Sequence, residues 1–78
     1  MSDRHAGVQD KIRWLTPNPN LPAGPAVTVA EGCHRLAVSL LTVIEADSPQ
    51  LTIGLQHLIE AKDAFVRAAI GQQERHDG

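Results

Sequence analysis

The sequence predicts an all-α protein: a short N-terminal helix plus an antiparallel two-helix hairpin, assembled as a homo-oligomer. Three observations carry that expectation. Apolar residues recur at steps of three and four along two long stretches, the spacing that gathers them on one face of a helix. Aromatic residues are nearly absent, Trp14 and Phe65 alone, while Ala, Leu, Ile and Val supply most of the apolar content, a balance that favours close-packed helices over a sheet. The break between the two stretches is only a few residues long, which makes the flanking helices antiparallel neighbours.

Residues 1–16 form an N-terminal segment of mixed charge in which Val8, Ile12 and Leu15 fall at helical spacing, enough for a turn or two of amphipathic helix. Residues 17–27 are a connector. Its stretch Pro17-Asn18-Pro19-Asn20-Leu21-Pro22-Ala23-Gly24-Pro25 lacks backbone donors at the prolines and excludes both helix and central strand.

The hairpin is expected over residues 28–71. Thr28 followed by Glu31 reads as a capping box, in which the hydroxyl accepts from the Glu31 N–H and the carboxylate returns to the Thr28 N–H. From there Val29, Cys33, Leu36, Ala37, Leu40, Leu41 and Ile44 define one apolar face through Ala46, widened by Val38 and Val43. Asp47-Ser48-Pro49 then stops one helix and starts the next, with Asp47 or Ser48 as cap and Pro49 at the first helical position, where its missing donor costs nothing. The second long helix carries two stripes. Leu51, Leu55, Leu58, Phe65 and Ala69 make one, and Ile59, Val66 and Ile70 the other. Gly71 is the natural C-terminal cap, which leaves residues 72–78 as a flexible tail.

One partner helix covers only one stripe, and the second would leave about 1.5 to 3 kcal/mol unrealised for each large side chain kept in water. A chain of 78 residues also buries a small fraction of its surface when it folds alone. The single cysteine, Cys33, offers neither an internal disulfide nor a four-cysteine zinc site. Self-association is therefore the expected remedy. Gly54, Ala61, Ala64 and Ala68 would let another helix approach closely.

Seven Lys and Arg against nine Asp and Glu give a net charge of -2 with no basic run, a poor match to a duplex DNA backbone. The first fifteen residues lack the apolar core of a secretory signal, and no uninterrupted apolar run reaches membrane-spanning length, so no membrane partner and a cytosolic location are expected. No phosphate loop, nucleophile elbow or paired-cysteine motif is present, and no cofactor is expected. Cys33 and His34 are adjacent on a helix, about 100° apart, and read as a plain buried cysteine rather than a nucleophile and base. His57 and Glu60, three apart, could ligate a metal only if other helices supplied carboxylates, so a solvated surface pair is the simpler reading.

The positions that invite a ligand lie before and after the connector. Lys11, Arg13, Trp14 and Thr16 precede it, Thr28 opens a helix whose N-terminal N–H groups attract an anion, and Arg35 follows two turns on. Trp14 flanked by cations either stacks on a base with phosphate partners beside it or packs the N-terminal helix onto the hairpin. Arg67, between Phe65 and Ala68, either extends to solvent or enters a shared interface, where its fork could hold a phosphate.

The stretch His57-Leu58-Ile59-Glu60-Ala61-Lys62-Asp63-Ala64-Phe65-Val66-Arg67-Ala68-Ala69-Ile70, with Leu36-Ala37 and Asp47-Ser48 before it, resembles the helical hairpin of phage immune-evasion proteins, namely the anti-CBASS cyclic-oligonucleotide sponges and the hairpin part of the Thoeris anti-defence sponges. Arg13-Trp14-Leu15-Thr16-Pro17 looks like the aromatic, proline-terminated segment that precedes the hairpin in the anti-CBASS group. The resemblance covers Ile12 to Ile70, and the connector here is richer in proline than the family pattern. It implies a homo-oligomer, a hexamer, that sequesters cyclic di- or trinucleotides in the cytoplasm of the infected host without cleaving them. It further implies that Trp14 stacks on a base and that Arg35 or His34 holds phosphate, with Arg67 and Thr28 at a second, three-fold pocket. The competing reading is a small helical adaptor that binds another protein through its spare apolar stripe.

Overall fold

A computed structural model describes residues 4–20 and 23–77, without the side chains at 73, 76 and 77. It is all-helical, with α1 (Ala6–Leu15), α2 (Pro25–Val43) and α3 (Pro49–Asp77), and no strand among the described residues.

Helix α1 buries Val8 and Leu15, and Ile12 packs between them against the rest of the core. His5 caps its start, its Nδ1 accepting from the Gly7 N–H at 3.1 Å. Its end follows from Pro17, since a residue before proline is pushed out of the helical region, and Thr16 is extended at φ -69°, ψ 129°.

Helix α2 begins three residues before the start expected at Thr28. Gly24 is its cap and Pro25 its first residue, and no side chain caps it, so the Thr28–Glu31 box does not form. The reason lies upstream. Gly24 holds φ 141°, a region closed to side chains with a Cβ, and Pro25 brings a φ already suited to the first helical turn. Thr28 is thereby drawn inside the helix, its N–H donating to the Gly24 carbonyl at 3.3 Å.

At the other end α2 stops at Val43, ahead of the expected Ala46, and no basic residue of its own lies in the last turn. The cation that a helix C-terminus attracts comes from the N-terminal arm instead. The Arg4 guanidinium donates to the carbonyls of Leu41 (2.6 Å), Ile44 (2.9 Å) and Glu45 (3.2 Å) and to Asp47 Oδ1 (2.7 Å). The second carboxylate oxygen of Asp47 accepts from the His5 N–H. His5 is thus part of a latch that ties the start of α1 to the α2–α3 turn.

Ser48 caps α3, its Oγ accepting from the Leu51 N–H at 3.2 Å, with Pro49 first in the helix. The helix then runs past Gly71 to Asp77, so residues 72–77 continue it and are not a loose tail. Gly24 is the only described residue with positive φ, hence Gly71 takes no left-handed cap conformation. A glycine inside a helix costs about 1 kcal/mol relative to Ala, and the good helix formers Gln72, Gln73, Glu74 and Arg75 carry the helix across it.

The core gathers Val8, Leu15, Ala37, Leu51 and Leu55, with Ile12, Leu41, Leu58 and Ile59 packed around them. Ala26, Ala30 and Ala69 are also buried, small side chains that allow α2 and α3 to approach closely. Helix α1 lies over one side of the α2–α3 seam. The other side is open: Val29, Cys33 and Leu36 form a groove with Phe65 and Ala68, and Leu40 and Ile44 form another with Gly54 and Leu58. Leu36 is 50% and Phe65 59% exposed, and a Cβ added at Gly32 or Gly54 would meet nothing within 4 Å. Of the residues expected to admit a second helix, Gly54 and Ala68 line these grooves. By length and composition α2 is also apolar enough to cross a membrane, although Glu31 and Arg35 interrupt it.

Candidate functional site: a tryptophan shelf at the end of α1

In the last turn of α1, Leu15 takes the core position and is fully buried. Trp14, about 100° round the helix, is therefore carried outward and is 62% exposed. Most of the indole is therefore left outside the contact between α1 and its neighbours.

Arg13, Trp14, Thr16, Asn18 and Lys62 line a cleft of about 440 Å³ at this end of the molecule. Lys62 reaches across from α3, and its Nζ donates to the backbone carbonyl of Trp14 at 2.9 Å. Thr16 Oγ1 donates to the Ile12 carbonyl at 3.1 Å, and Asn18 Oδ1 accepts from the Asn20 N–H at 2.9 Å, an Asx turn that shapes the start of the connector. Arg13 is engaged on the solvent flank by the Asp10 carboxylate, one turn earlier.

Three of the residues expected at a binding site thus meet here: Arg13, Trp14 and Thr16. Lys11 does not line the cleft, because its Nζ points along the α1–α3 seam and donates to Gln56 Oε1 at 2.6 Å. Arg67 lies on the exposed face of α3, paired with Asp63 at 3.1 Å. His34 is half-buried and Arg35 exposed on α2, both apart from the cleft.

Thr28 is exposed and lies in the fourth position of α2, so it does not open the helix. Pro25 has no N–H, and those of Val27 and Thr28 bond to the Gly24 carbonyl, so Thr28 does not offer the free N-terminal donor expected of it. Lys62 and Asn18 were not singled out in the sequence. Lys62 sits 48 residues from its acceptor within a run of helical surface positions, so spacing along one helix gives no sign of the contact.

Elsewhere, the Asp47 carboxyl is held below the usual carboxylate range, first by the His5 backbone N–H and then by the Arg4 guanidinium. His57 and Glu60 face each other at 3.8 Å on an exposed surface, and no group of three His, Cys, Asp or Glu gathers among the described residues. Cys33 is half-buried in the apolar groove beside Val29 and Leu36.

In chemical terms the cleft offers a flat indole, an ammonium, a guanidinium and small polar groups on one rim. That combination suits a flat ring carrying an anionic substituent. Compared with known proteins, the chain matches no family model, no curated protein and no solved structure.

Proposed function

We propose that this protein is a phage immune-evasion sponge, which binds cyclic di- or trinucleotide signals of bacterial anti-phage defence and withholds them without cleavage. The observation that carries the reading is the exposed Trp14 indole on a cleft shared with Arg13 and Lys62. A base stacked on an aromatic side chain is worth about 1 to 3 kcal/mol, and a cyclic dinucleotide presents two bases and two phosphates. A few placed cations are enough for such a ligand, so a net charge of -2 is compatible with it.

In this reading α2 and α3 act as the helical hairpin of the sponge fold. The open grooves along Leu36, Leu40 and Phe65 seat the hairpin of a second copy, and the assembly closes as a hexamer in the cytoplasm of the infected cell. Thr28, His34, Arg35 and Arg67, apart from the shelf in one chain, become available to pockets formed between copies.

The test is capture and release. Purified protein is incubated with cyclic di- and trinucleotides, filtered, heated, and the released material chromatographed. Depletion followed by intact recovery is the expected result, whereas linear or altered nucleotide would make the protein an enzyme. The open grooves also favour a second reading, a helical adaptor for another protein. No depletion across the panel, with a chain that stays monomeric, would select it.

A further inference from the structure

We infer that Lys62, and not Arg13, is the cation that holds a phosphate of the ligand at the Trp14 shelf, an inference that rests on the nucleotide-binding reading above. Three other cations of the chain already have acidic partners. Arg13 is paired with Asp10, Arg4 with Asp47 and three carbonyls, and Arg67 with Asp63. Among the described residues Lys62 makes no ion pair. Its one described hydrogen bond goes to a neutral oxygen, the Trp14 carbonyl.

The acidic residues flanking Lys62 on α3 are engaged elsewhere, Glu60 facing His57 and Asp63 holding Arg67. An ammonium has three donors, and this one spends a single donor on the backbone of the residue that bears the stacking ring. The bond holds the charge at the Trp14 backbone, on the same cleft that the indole lines. A base on Trp14 therefore places its phosphate on the α3 side of the ring, where an unpaired positive charge waits, rather than on the Asp10 side.

Trp14 is the only tryptophan and the chain has no tyrosine, so intrinsic fluorescence reports directly on ligand seated at the shelf. Cyclic di-AMP and cyclic di-GMP are titrated into the full chain and its variants, with uncharged adenosine as control. Lys62→Gln keeps a donor for the Trp14 carbonyl and removes the charge. It is expected to weaken the cyclic dinucleotides about 10- to 100-fold, the range for a lost charged hydrogen bond, while leaving adenosine unchanged. Lys62→Arg should restore affinity to within about 3-fold, and Arg13→Gln should change it by less than about 3-fold.

Undiminished binding by Lys62→Gln, or a larger loss in Arg13→Gln, overturns the assignment. If Trp14→Ala, followed by equilibrium dialysis because this variant lacks the fluorescent reporter, still abolishes binding in that case, the shelf stands and only the role of Lys62 falls. If the wild-type protein takes up neither dinucleotide at the shelf, both fall. Should Lys62→Gln lose helicity by circular dichroism, acetylation of the wild-type protein decides: bound cyclic dinucleotide must protect the Lys62 amine, and unchanged labelling overturns the inference.

Discussion

The two sides of the α2–α3 seam are built from the same kinds of residue and have opposite fates. On one side α1 lies over the seam, Val8 and Leu15 are sealed into the core, and the ends of the covering helix are fastened, by the Arg4–Asp47 latch at its start and the Lys62–Trp14 bond at its finish. On the other side Leu36, Leu40, Ile44 and Phe65 line grooves that no described residue covers. The difference teaches what α1 is for. One short helix completes a core on a single side and, by fixing the last turn, presents Trp14 to solvent. The uncovered side keeps an apolar surface, which in the proposed function is the face that meets a second copy.

Four substitutions break or sharpen this contrast. The largest effect on the chain's own stability is expected on the closed side: Leu15→Ala removes a fully buried side chain and should cost about 2 to 5 kcal/mol, read from urea unfolding. On the open side Phe65→Asp should leave the helicity of the chain intact and instead dissociate the proposed homo-oligomer, read by sedimentation. Equal loss of helicity in both variants would erase the distinction between the two faces.

The latch supplies a smaller, pH-dependent effect. The folded-state pKa of Asp47 is lowered, so its contribution is fully present above the ordinary value near 3.8 and is lost as pH falls through the lowered folded value. Thermal midpoints measured downward from about pH 5 should therefore show a steeper acid decline in the wild-type protein than in Asp47→Asn. Matching declines would remove the latch from the account. The smallest effect is expected at Thr28→Ala, within about 0.5 kcal/mol, because the capping hydrogen bond is not made. A loss of about 1 kcal/mol would mean that the hydroxyl caps the helix after all.

The all-helical fold was legible because the apolar residues repeat at three and four, and Val8, Ile12, Leu15, Leu51 and Leu55 do enter the core. Helix ends were less legible, since local signals competed. Thr28-x-x-Glu31 has the residues of a capping box, but Gly24-Pro25 sits upstream and sets the start first. Gly71 has the composition of a stop, yet the residues after it sustain the helix.

At the site, Trp14 and Arg13 were visible as an aromatic beside a cation. Which way the indole faced depended on Leu15 taking the core position, and the sequence left that open. Lys62 and the Arg4 latch were invisible for one shared reason. Each joins atoms about forty residues apart or more, and such contacts are properties of packing rather than of spacing along a helix.

The claim on which the rest depends is that the open side is closed by another copy of the chain. Light scattering on the purified 78-residue chain at micromolar concentration measures this directly. The account predicts a single species whose mass is a multiple of 8.4 kDa, six-fold for the hexamer. A monodisperse species of 8.4 kDa would contradict it.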